Sequence, residues 1–140
     1  MSEERETRLI LISPSSDLTP DQVTRTIHAA SSGIRAKETC YGTVIEGRRD
    51  DVRAVLKRVR ELEPNAIFSK VRAFPAGDQR RCRAQHGSRP GFSQIEWEWA
   101  LLPKIQHGLD CLDRGEKAVQ KEKKQKLPVN DFKRICEERP

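Results

Sequence analysis

The sequence predicts an α+β fold: a ferredoxin-like βαββαβ domain with an added C-terminal helical segment. Three observations predict it. Leu9 to Ile12 is an unbroken apolar run, the mark of a central strand buried on both faces. Two stretches with helical apolar spacing follow, one after Thr19 and one after Asp50. Short strand-like segments lie between them and beyond the second.

Each element has a local cause. The first strand, over 8–13, is ended by Pro14 and the Ser15-Ser16-Asp17 cluster. Thr19-Pro20-Asp21-Gln22 then reads as a helix start, with Thr19 as cap, Pro20 at the first helical position and Gln22 closing a capping box. Val23, Ile27 and Ala30 share a face, and Gly33 is placed to stop the helix. Residues 34–40 and 43–47 read as strands, with Tyr41-Gly42 as the reversal between them. Asp50 or Asp51 can cap a second helix whose apolar stripe is Val52, Val55, Leu56, Val59 and Leu62. Pro64-Asn65 breaks it, and the fourth strand is expected over 66–70.

Beyond the four strands the character changes. Residues 71–92 carry Arg72, Arg80, Arg81, Arg83 and Arg89, opposed only by Asp78, together with Pro75, Gly77, Gly87, Pro90 and Gly91. That composition describes a long shaped loop, and long loops in small domains carry function. A helical segment is expected over 93–112, opened by the capping-box pattern Ser93-Gln-Ile-Glu96. Trp97, Leu101, Ile105, Leu109 and Leu112 form one stripe, read as its core face, and Pro103 must kink or divide it. Trp99 falls off that stripe and is the candidate aromatic anchor for a partner. The expected organisation is thus a flexible N-terminus over 1–7, a core over 8–70, the Arg/Gly-rich loop over 71–92, the added helix over 93–112 and a charged tail over 113–140.

Composition narrows the function classes. The 140 residues suffice for one modest core, and the net charge is +6. No apolar run approaches the roughly 20 residues of a membrane span, and the acidic start Met1-Ser-Glu-Glu lacks the apolar region of a secretory signal. The expectation is a cytoplasmic chain with no membrane partner and with its four cysteines as thiols. Phosphate-binding glycine loops of the G-x4-G-K-S/T and G-x-G-x2-G types are absent, which disfavours nucleotide hydrolysis.

Three kinds of chemistry remain for the Arg-rich stretch. Its guanidinium groups can grip carboxylates or phosphates in bidentate fashion. Cys82 and His86 form C-x3-H, and with Cys40 they make a candidate metal set of two thiols and one imidazole that would still need another ligand. Neighbouring arginines stabilise thiolates but repel a metal cation, so the expectation is a thiol pair, Cys40 with Cys82, and no permanent metal. Cys82 with His86 as base lacks a nucleophile elbow or paired carboxylates around it, and the chain is expected to be non-catalytic, without a cofactor. RNA binding is the alternative from another class. The sheet offers few aromatic residues for base stacking, Phe68 and the turn residue Tyr41 being the candidates, so the Arg loop would have to supply phosphate contacts.

A family resemblance joins these readings. Arg8-Leu-Ile-Leu-Ile-Ser-Pro, Lys37-Glu-Thr-Cys-Tyr-Gly42, Ile67-Phe-Ser-Lys70 and the Phe74 to Phe92 segment resemble the methanogenesis marker 6 proteins, over Glu6 to about Leu112. The resemblance implies an anaerobic archaeal setting and an accessory role toward methyl-coenzyme M reductase or its maturation and activation machinery. It transfers no catalytic residue. The resulting expectation is a non-catalytic accessory protein whose partner interface is Arg72, Arg80, Arg81, Arg83, Arg89 and Trp99. The alternatives are an RNA-binding protein or a small Cys/His metal- or redox-dependent protein.

Overall fold

Strand β1 (Arg5–Ile12) is hydrogen-bonded on both sides, to β3 (Gly42–Arg48) and to β4 (Ile67–Val71), and β2 (Arg35–Thr39) extends the sheet beyond β3. All three pairings are antiparallel and the strand order is β2-β3-β1-β4. The structure, a computed structural model, describes residues 4–72, 75–76 and 92–138. Within them the helices are α1 (Pro20–Ala30), α2 (Arg49–Arg60), α3 (Phe92–Asp113) and α4 (Val129–Glu137). The fold is therefore mixed α+β, with four antiparallel strands and four helices among the described residues.

The alternation of side chains along β1 builds two cores from one apolar run. Ile10 and Ile12 join Ile45 and Ile67 beneath α1 and α2, where Val23, Ile27, Val52, Val55, Leu56 and Val59 close over them. Leu9 and Leu11 face the other way, with Val44, beneath Leu102, Ile95 and Trp99 of α3. The sheet is thus covered on both faces, and Phe68 lies in the α3 layer rather than on an open surface.

Local signals set most boundaries. Thr19 caps α1 with the reciprocal capping box to Gln22, and Pro20 begins the helix. Several expectations need correction. Strand β1 starts at Arg5, not at Arg8, because it is central and its ladder to β3 runs out to Arg48; Glu4 is also tied in, its carbonyl accepting from the Arg49 N–H at 2.9 Å. Helix α1 ends by Ser31 turning extended, without a positive φ at Gly33. The turn of the β2–β3 hairpin is Cys40-Tyr41, one residue earlier than expected, with Thr39 paired to Gly42. Strand β3 runs directly into α2, so Asp50 and Asp51 sit inside the first turn, where they favour the helix dipole, and no side chain caps it. Leu62 lies past the end of α2 and is exposed. Helix α3 continues undivided through Pro103. It closes on Gly115, whose φ of 73° lets its N–H reach the Leu112 carbonyl while Glu116 N–H reaches that of Cys111. The charged tail contains α4, with residues 116–128 running to it without helix or strand.

Gly42 is the tightest point of the sheet. Its φ is +149°, and a Cβ there would collide with the Ile10 carbonyl of the neighbouring strand. Gly42→Ala is expected to destabilise the protein by about 2–3 kcal/mol in urea unfolding. Gly33→Ala is the control: its added Cβ meets nothing closer than Ser31 Oγ at 3.8 Å, and it should change stability by less than about 0.5 kcal/mol.

Candidate functional site

Helix α3 is held to the sheet by an apolar contact flanked by polar ties. Leu102 is buried, and Trp99 lies edge-on to Tyr41 with ring centroids 5.1 Å apart and planes at 65°. The Trp99 indole N–H donates to the Ile12 carbonyl at 2.9 Å, which satisfies the polar end of a half-buried ring. Lys70 of β4 reaches both carboxylate oxygens of Glu98, at 2.9 and 2.8 Å. Toward the other end, Asn65 Nδ2 donates to Asp110 and Asp113, each at 2.7 Å, and Ser15 donates to Gln106 at 2.8 Å. Ties at both ends and in the middle leave the helix one rotation about its axis.

That rotation reverses the expected faces. The stripe read as the core face points outward: Trp97 is 72% exposed, Leu112 66%, Ile105 46% and Leu101 41%. Trp99, expected as the free anchor, is the residue packed inward. The physical reason is that α3 is apolar on two sides, and the side chosen is the one whose indole finds a backbone acceptor and whose neighbouring Glu98, Gln106 and Asp110 find partners on the sheet side. Gly108 lies on the outward face with open space around its Cα, so another chain can approach closely there. One indole and three aliphatic side chains thus stand exposed in a row on this helix.

The other expected site residues separate into two groups. Arg80, Arg81, Arg83, Arg89, Cys82 and His86 lie outside the described residues, and with them the Cys40–Cys82 pairing and the Cys40, Cys82, His86 donor set. Arg72 follows β4 directly, its backbone N–H donating to the Thr7 carbonyl at 2.9 Å. Ala76 is buried and its N–H donates to Glu46 at 2.7 Å, so the chain entering the Arg-rich stretch is anchored over β3. Cys40 is an exposed free thiol in the β2–β3 turn. No cluster of three or more histidine, cysteine, aspartate or glutamate side chains able to hold a metal occurs among the described residues.

Cys111 of α3 has the apolar spacing of a core position, yet it is not fully buried. His107 Nε2 lies 3.6 Å from its sulfur and Arg114 donates to it at 3.2 Å. A hydrogen bond to Glu116 pushes its thiol pKa up, helped by burial and the Glu116 and Asp110 charges and opposed by Arg114. A raised pKa leaves less thiolate at neutral pH. The i, i+4 spacing of His107 and Cys111 was the signal that could have shown their contact.

The electrostatic tie at Glu98 yields a pH dependence. The hydrogen bond from Lys70 holds the Glu98 carboxyl below its ordinary value against the opposing effect of burial, with Gln94 adding a further bond. A folded pKa below the unfolded one means that this contribution is complete above the ordinary carboxylate pKa and is lost as pH falls through the lowered value. Glu98→Gln is expected to cost about 0.5 kcal/mol at neutral pH, given the partial exposure of the pair. In melts taken at successively lower pH, the variant should lose less stability than the parent below pH 4.5, the ordinary value for this group.

Comparison with known proteins places this scaffold in a family. The profile of an archaeal family described as "Uncharacterized protein conserved in archaea (DUF2102)" matches residues 9–110, from β1 almost to the end of α3. An uncharacterized protein of Methanocaldococcus jannaschii is 36% identical over 145 residues, covering 95% of this chain and 93% of that protein. No solved structure matches the chain. Among the described residues no helix is long and apolar enough to cross a membrane. With the match running from Leu9 of β1 through β4 and most of α3, the chain belongs to the archaeal DUF2102 family.

Proposed function

We propose that this protein is a non-catalytic binding protein that engages a protein partner through the outer face of α3, with Trp97 as the anchor and Leu101, Ile105 and Leu112 beside it. The observation that carries the reading is the alignment of these four exposed side chains on a helix whose opposite face is already engaged. Binding energy concentrates on aromatic anchors surrounded by residues that exclude water. In this reading the positive charge of Arg72, Arg80, Arg81, Arg83 and Arg89 steers the partner's approach. Trp97 replaces Trp99 in the anchoring role, since Trp99 is committed to the sheet.

The resemblance to methanogenesis marker 6 proteins makes methyl-coenzyme M reductase, or its maturation and activation machinery, the partner of choice, and membership of an archaeal family supports that setting. The strand order β2-β3-β1-β4, with α1 and α2 on one face, supports the ferredoxin-like reading of the domain. A cytoplasmic, anaerobic setting suits the free thiols Cys40, Cys111 and Cys136. RNA stacking on the sheet loses support because α3 covers the face on which Phe68 lies.

Affinity purification from anaerobic archaeal cells under mild salt tests this. The parent chain should recover reductase subunits or their accessory factors. A chain carrying Trp97→Ala and Ile105→Lys should lose them, with an affinity loss of at least about 2 kcal/mol, or roughly thirtyfold. Both positions are exposed, so the melting behaviour should be preserved. Equal recovery by the variant, or no reductase-related protein with either chain, rejects the proposal.

A further inference from the structure

Helix α2 carries a second feature, on the opposite side of the sheet from the α3 stripe. Its inward face is Val52, Val55, Leu56 and Val59. Arg49, Arg53, Lys57 and Arg60 recur along one flank at four-, four- and three-residue steps, which stacks them in a single row. The row runs past β1 and the edge strand β4. Between the helix and these strands lies an open cleft of about 430 Å³ lined by Arg8, Arg53, Leu56, Lys57, Arg60 and Ser69. Four of the six described lining residues are cations, and no carboxylate is among the described residues that line it.

The nearby acids neutralise only part of the cleft. Glu6 is nearly buried and shared: it pairs with Arg8 Nε and, at 3.2 Å, with Arg49 Nε. Burial alone would raise its pKa, but the hydrogen bond from Arg8 and the charges of Arg8, Arg49 and Arg53 hold it below the ordinary carboxylate value, so it stays ionised. Glu4 is taken by Arg49. Asp50 and Glu61, on neighbouring turns of the chain, do not line the cleft. Arg53, Lys57 and Arg60 thus face it with no ion-pair partner among the described residues. Arg8 is the fixed member. Its side chain is 21% exposed, pinned by Glu6, and one guanidinium nitrogen lies 3.4 Å from Ser69 Oγ.

We propose that this cleft binds a compact anion carrying two or more phosphate groups. Mutually repelling cations held beside one another are relieved by an anion that bridges them, and guanidinium groups match phosphate oxygens in pairs. Ser69 adds a neutral hydroxyl donor and Leu56 an apolar wall. The volume lies within the range of small-molecule sites, roughly 300–1,000 Å³. The cations without an ion-pair partner among the described residues extend from Arg53 to Arg60, about 10 Å of helix axis. That is the length of a diphosphate-bearing molecule, shorter than the track by which proteins follow a nucleic-acid strand. The site is independent of the partner face on α3, so either assignment can fail without the other.

Inorganic pyrophosphate is the probe, titrated calorimetrically into the full-length protein at low salt, with monophosphate and a single-stranded RNA oligonucleotide as comparators. Pyrophosphate should bind one per chain, at least about tenfold tighter than monophosphate, and weaken as salt rises. Lys57→Glu with Arg60→Glu should weaken it at least about tenfold, whereas Lys104→Glu, a charge reversal on exposed α3, should change it less than about twofold. Should the double variant fail to fold, amide shift mapping on the parent protein decides instead: pyrophosphate should move Arg53, Lys57, Arg60 and Ser69 and leave Trp97 to Ile105 unmoved. Absence of pyrophosphate binding at millimolar concentration, unchanged affinity in the double variant, or shifts centred elsewhere overturns the site. RNA that binds through the same residues more tightly than pyrophosphate overturns the compact-anion assignment.

Discussion

Everything in this fold is referred to the central strand. β1 has backbone partners on both edges, so its position in the sheet is set from two sides, and its alternating side chains must then fill both layers. Ile10 and Ile12 draw α1 and α2 onto one face, while Leu9 and Leu11 draw α3 onto the other. Gly42 lets β3 lie close against Ile10, where a Cβ would meet the backbone carbonyl. The strand also carries the functional geometry. Its carbonyl at Ile12 holds the Trp99 indole, and its Arg8 side chain reaches the cleft beside α2.

The two outer layers differ in charge as well as position. Helix α2 carries five basic residues against two acidic ones, and α3 carries four acidic residues against a single lysine. Of these two helices α2 is thus the basic one, and the exposed apolar row lies on the more acidic one. A protein surface docking on α3 and an anion docking beside α2 would meet different fields, which is how one small domain can keep two kinds of ligand apart.

The ties along α3 explain how an apolar row can face outward without destabilising the body. The inward face buries Leu102 and packs Trp99 and Ile95 against the sheet, and Lys70, Asn65 and Ser15 satisfy the polar groups next to them. Turning the helix to bury Trp97 would remove the indole hydrogen bond and strand Glu98 and Asp110 away from their donors. Unmade polar contacts at a buried seam cost more than an exposed aliphatic row.

By itself the sequence determined the order of elements. Four consecutive apolar residues demand burial on both faces, Thr19-Pro20 with Gln22 starts a helix through backbone hydrogen bonds that need no distant partner, and Pro64 cannot continue one. These are contacts between near neighbours, legible from spacing. The start of β1 at Arg5 was not legible, because polar Arg5, Glu6 and Thr7 are extended only by their pairing with β3. Nor was the basic flank of α2: Arg53, Lys57 and Arg60 are exposed cations that line a cleft only because β1 and β4 place Arg8 and Ser69 opposite them. The face of α3 was decided by the tertiary structure alone. Periodicity places Trp97, Leu101 and Ile105 on one stripe and Ile95, Trp99 and Leu102 on another, both apolar. Only the Ile12 carbonyl, Lys70 and Asn65, brought there by the sheet, give one stripe partners that the other lacks.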